Sequence, residues 1–215
     1  MSIGDDKALI KRNIYSVVSR ISVIFLLMGI ACLIGCVRKE GAWTPVANPE
    51  ISWSNHQKLL SDIQSFKLEG KAGFSEGKTG QTIHFMWVQA DGDYTLDFYG
   101  PLNVKVATLV KNQTGITLLT SKGKLVSDDP ESLMQQELGF SLPIEGLQFW
   151  ILGLPQDQTS EKKINAYGYL KSLREDGWSI EYLQYESFHD LGWPSLMTLK
   201  QGPYRVVLSV QHMEN

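Results

Sequence analysis

Ile83-His84-Phe85-Met86-Trp87-Val88, then Asp91-Gly92, then Tyr94-Thr95-Leu96-Asp97-Phe98-Tyr99, is the stretch that decides the fold. Its side chains alternate with a period of two, placing Ile83, Phe85 and Trp87 on one face and His84, Met86 and Val88 on the other. Asp-Gly between two such runs marks a tight turn, so the two runs form a hairpin. Working outward, the same alternation recurs at 67–74, 104–111, 115–120, 123–127, 166–172, 178–185, 195–200 and 204–212. The chain thus supplies roughly ten short strands, most joined by loops too short for a parallel crossover. An antiparallel sheet curling toward a barrel is the expected solution.

Helical periods interrupt the strands in three places. Trp53, His56, Leu59, Leu60, Ile63 and Phe66 recur at helical spacing behind Ser52 or Ser54, either a suitable N-cap. Asp128 and Asp129 offer caps to a helix with Pro130 at its first position, carrying Leu133, Met134 and Leu138 and ending at Gly139. A short third helix covers 144–152, with Leu147, Trp150 and Ile151 on its apolar side. Helices laid across the concave face of such a sheet would enclose a hydrophobic cavity, or simply fill a packed core.

The N-terminus reads as a secretory signal. Lys7, Lys11, Arg12 and Arg20 precede an apolar run from Ile21 to Gly35 that stops at Cys36, too short to span a bilayer. Leu33-Ile34-Gly35-Cys36 resembles the bacterial lipobox, which implies cleavage before Cys36 and its acylation, palmitate included, with residues 1–35 as the signal peptide. Val37, not Asp, would follow Cys36, and resemblance to bacterial lipoproteins then implies sorting to the outer membrane. Residues 36–51, with Gly41, Pro45 and Pro49, read as the acylated N-terminus and a flexible tether, and residues 52–215 as one domain.

Charge excludes one class of partner. The chain carries 20 Lys and Arg against 23 Asp and Glu, a net −3. Four of the cations and two of the anions precede Cys36, so cleavage leaves −5 and no basic surface for nucleic acid. Cys32 leaves with the signal and Cys36 is acylated, so no disulfide is available and stability must come from packing. There is no Gly-x-Ser-x-Gly elbow, His-Glu-x-x-His, Cys-x-x-Cys or glycine-rich phosphate loop, and His56, His84, His189 and His212 fall on different elements. No enzyme, metal site or cofactor is expected.

A resemblance emerges from residues spread over the whole mature chain. Trp53, His56, Leu59 and Phe66; Phe85-Met86-Trp87; Tyr99-Gly100-Pro101-Leu102; Asp129-Pro130-Glu131; Leu138-Gly139; Leu142-Pro143-Ile144 and Leu147; Trp150-Ile151-Leu152-Gly153-Leu154-Pro155; Gly177-Trp178; Tyr182, Tyr185 and Pro194 together resemble the outer-membrane lipoprotein receptor LolB family. Trp-Ile-Leu-Gly-Leu-Pro behind Leu-Pro-Ile is the most specific segment. Two departures stand out: Asn103 occupies a place where Gly often follows the Pro-Leu pair, and His212-Met213 stand near the last strand where a Trp is expected. Asn tolerates positive φ better than most residues, so the turn survives.

The resemblance implies a mainly β fold with some α, an antiparallel half-barrel of about eleven strands whose helices cover the concave face and enclose a hydrophobic cavity for acyl chains. It implies a role that involves no covalent chemistry, in which a soluble periplasmic, LolA-like carrier of similar fold delivers triacylated lipoproteins. The anchored monomeric receptor, facing the periplasm, accepts them and passes their lipid to the inner leaflet of the outer membrane. Candidate cavity walls are Phe85, Trp87, Leu96, Phe98, Leu109, Leu147, Trp150, Ile151 and Trp178, about half of which are expected to touch a ligand, since opposite faces of one strand cannot both line it. Gly100-Pro101-Leu102-Asn103 reads as a β-turn with Pro at its second position. Without the family, Leu102 could fold back into the core; with it, Leu102 matches the exposed loop leucine that enters the membrane. Two other classes remain open: a structural or assembly lipoprotein of the envelope that carries no lipid cargo, and a lipid-modifying enzyme with a polar group at the cavity mouth.

Overall fold

The computed structural model describes residues 43–77, 79–188 and 191–214. Residues 1–35, expected to be a signal peptide, and Cys36, the expected acylation site, lie outside the described residues. The eleven strands are β1 (Ser65–Glu76), β2 (Thr79–Ala90), β3 (Asp93–Tyr99), β4 (Lys105–Asn112), β5 (Gly115–Thr120), β6 (Gly123–Ser127), β7 (Glu161–Ile164), β8 (Leu170–Glu175), β9 (Trp178–Phe188), β10 (Leu191–Gln201) and β11 (Tyr204–Glu214). They form one open antiparallel sheet in the order β6-β5-β4-β3-β2-β1-β11-β10-β9-β8-β7. The first and last strands pair at its centre, Ala72 opposite Leu208, so the two halves of the chain meander outward from a shared seam.

That topology dictates where the helices go. The connection from β6 to β7 must carry the chain from one sheet edge to the other, and it does so through α2 (Pro130–Leu138) and α3 (Ile144–Trp150). Between them Phe140 stacks on Phe74 of β1, ring centroids 4.5 Å apart, and meets Phe98 of β3 edge-on at 5.4 Å. The segment therefore covers the apolar face of the sheet. The α2 boundaries follow from local chemistry: Asp129 accepts from the Ser132 amide at 2.9 Å, Pro130 needs no donor there, and Gly139 takes the left-handed cap at φ 75°.

The helix α1 (Pro49–Ser61) differs from the sequence expectation at both ends. Asn48 rather than Ser52 or Ser54 caps it, accepting from the Ile51 amide at 3.2 Å, and Pro49 is its first residue rather than part of the tether. Its apolar period overruns the helix: Phe66 belongs to β1, where it is buried. The approach to the helix is held as well, since the Val46 amide donates to the Ala166 carbonyl at 2.9 Å and Trp43 meets Tyr169 edge-on. His56 contacts the Gly168 carbonyl through Nδ1 at 2.8 Å and stacks on Tyr169, a packing role.

The second half of the sheet differs from the sequence expectation in two places. The strand read at 166–172 is a turn followed by β8, because Asn165 accepts from the amides of Tyr167 and Tyr169 through its side chain at 2.9 and 3.1 Å and Gly168 takes a φ of 77°. β7, with the sequence Glu161-Lys162-Lys163-Ile164, lacks an apolar face and so carries no period-two signal in the sequence. It is an edge strand, where charge discourages pairing with other chains.

Candidate functional site

The structure gathers eight of the nine proposed wall residues into one apolar interior. Phe85, Trp87, Leu96, Phe98 and Leu109 project from β2, β3 and β4, while Leu147, Trp150 and Ile151 come from α3 and its C-cap; all are buried in the same cluster. Trp178, at the start of β9, is half-buried and packs against that cluster. The odd-numbered face of β2 and the even-numbered face of β3 point inward, consistent with Phe85 opposite Phe98 and Trp87 opposite Leu96. The interior is filled by these side chains together with Met134, Phe140, Leu142 and Ile144 from the covering segment, none of which is among the nine candidate walls.

A buried carboxylate ties the cover to the sheet. Glu175, the last residue of β8, accepts from the Trp150 indole Nε1, from the Gln156 and Asp157 amides at 3.0 and 2.7 Å, and from the Ser160 hydroxyl at 2.6 Å. Burial alone would push its carboxyl up, but these donors outweigh it and hold the group below its ordinary value. Tyr182 donates to the Trp150 carbonyl at 3.2 Å. The Trp150 ring lies against Gly146 one turn earlier, and a Cβ there would collide with it. On the far side, Glu131 accepts from the Ile144 amide at 2.9 Å, while burial pushes its carboxyl up.

Two clefts enter this arrangement at one end of the sheet. One, of about 510 Å³, is lined by Glu76, Glu131, Glu145, Trp150, Trp178 and Tyr204 among others. The other, of about 550 Å³, is lined by Ile83, Pro101, Val106, Lys122, Leu138 and Phe140 among others. Of the nine candidate walls, Trp150 and Trp178 line the first. The strand pairings Glu76 with Tyr204 and Glu76 with Thr79 put the turns after β1 and before β11 at the same end as the β3–β4 turn, whose Gly100 and Pro101 edge the second cleft.

At that end stands Leu102. The turn runs Pro101-Leu102-Asn103-Val104, with the Val104 amide 3.4 Å from the Pro101 carbonyl and the Gly100 amide donating to the Val104 carbonyl at 2.9 Å. Pro101 is therefore the first residue of the turn, not the second as the sequence suggested. Both central residues are left-handed, Leu102 at φ 60° and Asn103 at φ 59°, the mirror-image geometry that suits the twist of a hairpin. Asn adopts it readily; Leu does so at a cost of about 1–2 kcal/mol. Leu102 is 97% exposed, so no packing offsets that strain. Val104 and Val106 beside it are 60% and 40% exposed, extending an apolar strip that the sequence reading confined to one residue.

Known proteins share both the sequence pattern and the fold. The sequence model of the family described as outer membrane lipoprotein LolB matches residues 64–212. The chain is 28% identical over 198 residues to the outer-membrane lipoprotein LolB of Nitrosococcus oceani, a span of 91% of this chain and 97% of that one. It is 32% identical over 192 residues to that of Pseudomonas syringae pv. syringae, spanning 88% and 91%. A crystal structure of a LolA superfamily protein from Nitrosomonas europaea superposes with a TM-score of 0.50 over 78% of this chain and 94% of that chain, at 8% identity, a likeness of fold.

Proposed function

This chain belongs to the outer-membrane lipoprotein LolB family, and on that premise we propose that it is a lipid-anchored receptor of the outer membrane that accepts triacylated lipoproteins from a LolA-like periplasmic carrier and inserts them into the inner leaflet. The anchor is Cys36, acylated after removal of residues 1–35. The observation that carries the reading is Leu102: a fully exposed leucine in a strained left-handed turn, at the end of the sheet where both clefts open. Folding gains nothing from a leucine there, whereas a bilayer surface would. Gly100, Pro101, Leu102 and Asn103 form the insertion turn, and the interior around Phe85, Trp87, Leu96, Phe98, Leu109, Leu147, Trp150, Ile151 and Trp178 receives acyl chains when α2 and α3 move away.

The transfer makes and breaks no covalent bond, so it runs downhill through successively better sites for the same chains. About 55 Å² more apolar contact in the accepting site amounts to roughly 1.4 kcal/mol, a tenfold preference. The test is to place the full-length acylated protein in vesicles, supply a purified carrier loaded with a triacylated lipoprotein, and separate cargo bound to the receptor from cargo free in the bilayer. Leu102→Glu is expected to leave acceptance and stability nearly unchanged while delivery falls. If the folded protein takes nothing from a competent carrier, a structural envelope lipoprotein becomes the better description.

A further inference from the structure

One buried acid is explained neither by the core nor by the cover. Asp97 lies in the middle of β3, yet its side chain belongs to the outer face of the sheet, since its neighbours Leu96 and Phe98 point into the core and it sits opposite Met86 and Thr108. It is only 5% exposed all the same. Three groups close over it: Lys105 Nζ at 2.7 Å, the Thr108 hydroxyl at 2.5 Å and the Tyr99 hydroxyl at 3.5 Å. Lys105 also lies over the Tyr99 ring, 5.6 Å from its centroid, and its ammonium is held above its ordinary value by the hydrogen bond to Asp97.

Those contacts straddle the insertion turn. Tyr99 is the last residue before Gly100, and Lys105 the first after Val104. The register shifts between them: Phe98 pairs with Ala107 but Tyr99 pairs with Lys105, leaving Val106 as the extra residue of a β-bulge. By simple alternation Lys105 would share the inner face of Ala107 and Leu109; the bulge turns it outward, where Asp97 captures it. A bulge bends and twists the strand that carries it, and this one lies at the base of the Leu102 turn.

We propose that Asp97 is a positioning residue for membrane delivery: by holding Lys105 and Thr108 it locks the Val106 bulge and so aims the Leu102 turn at the bilayer. The inference rests on the receptor reading above. Lys105 is half-exposed but Asp97 is buried, so without the lysine the carboxylate keeps only the Thr108 and Tyr99 hydroxyls; the proposed effect is on the direction of the turn.

The experiment uses full-length acylated protein in vesicles of phosphatidylethanolamine and phosphatidylglycerol, carrying Asp97→Asn, Lys105→Gln or both. Acceptance from the loaded carrier is expected at the native level in all three. Delivery falls severalfold in each single variant, and the double variant is no worse than the worse single one, as two residues acting through one contact require. Native delivery in Asp97→Asn overturns the proposal, and so does loss of acceptance in parallel with delivery, which marks a merely structural role. Leu102→Glu is run alongside: if it too delivers normally, the turn is not the delivery device and both readings fall, whereas a defect in Leu102→Glu with none in Asp97→Asn sinks this inference alone.

Discussion

Replacing Leu102 with glycine separates folding from function, because the two are expected to move in opposite directions. At φ 60° a leucine carries about 1–2 kcal/mol of backbone strain that glycine does not. Glycine's greater freedom in the unfolded chain takes back about 0.5–1 kcal/mol. The side chain is 97% exposed, so its removal forfeits no buried area. The net effect on folding lies between zero and about 1.5 kcal/mol of stabilisation, a rise of up to roughly 3–6 °C in thermal midpoint for a domain of this size. Delivery changes the other way. Moving a leucine side chain from water to an apolar medium is worth about 1.5–3 kcal/mol, so its loss weakens entry of the turn into a bilayer by about 10- to 150-fold. Thermal unfolding and vesicle delivery are measured on the same preparation, with acceptance from the carrier as control. A clear drop in midpoint would mean that Leu102 packs in the native state; unaltered delivery would mean that the leucine does not enter lipid. Either result refutes the reasoning.

Other expectations follow from the same structure. Val104→Ser should impair delivery in the same assay by less than Leu102→Gly does, since Val104 is smaller and already partly covered. Asp129→Ala removes the cap of α2 and should lower stability by about 1 kcal/mol, read from denaturant unfolding. Glu175 is held below its ordinary value of 4.5 in the folded state, so folding favours its carboxylate: its stabilisation is present above about pH 4.5 and lost as pH falls through the lower folded value. Thermal midpoints followed from pH 7 downward should therefore fall less steeply in Glu175→Gln than in the native chain. Glu131 works in the opposite sense, because its raised value makes folding favour the protonated form, and Glu131→Gln should steepen the same acid limb.

Local chemistry made some elements legible to the residue and left others hidden. The helix Pro130–Leu138 could be read from Asp129, Pro130 and Gly139 alone, since caps and stops act within a few residues. Asn48-Pro49 is an equally local start signal, but Pro49 sat in a stretch without an apolar period and was read as linker. The inward faces of β2 and β3 followed from alternation once the sheet supplied a single buried side. The Leu102 turn was placed correctly in the chain but shifted by one residue, because proline suits two different turn positions and only the left-handed pair Leu102-Asn103 decides between them. Asp97 and Glu175 were out of reach for another reason. Nothing in either strand marks its acid for burial, and most of the donors that hold it arrive from other elements, as far away in sequence as Trp150 is from Glu175.

The filled interior bears on how a receptor of this kind could both load and release. An open, dry cavity would reward entering acyl chains with the full value of their buried surface, about 0.8 kcal/mol per methylene, and would then have to surrender it at the membrane. Here Phe140, Leu147, Trp150 and Ile151 already occupy the concave side, so on the proposed reading a chain that enters would displace side chains that are themselves buried. Loading then exchanges one set of apolar contacts for another, and the net affinity is the small difference between them. The same side chains would return when the lipid leaves, so closing of the cover would drive release. Glu175 sets the cost of opening, because moving Trp150 away leaves a carboxylate short of one of its donors. A weakened latch should therefore favour acceptance and slow release: in Glu175→Gln, cargo leaves the carrier as fast as or faster than in the native protein and lingers on the receptor in the vesicle assay. Faster release with weaker acceptance would show that the contact stabilises the loaded form instead.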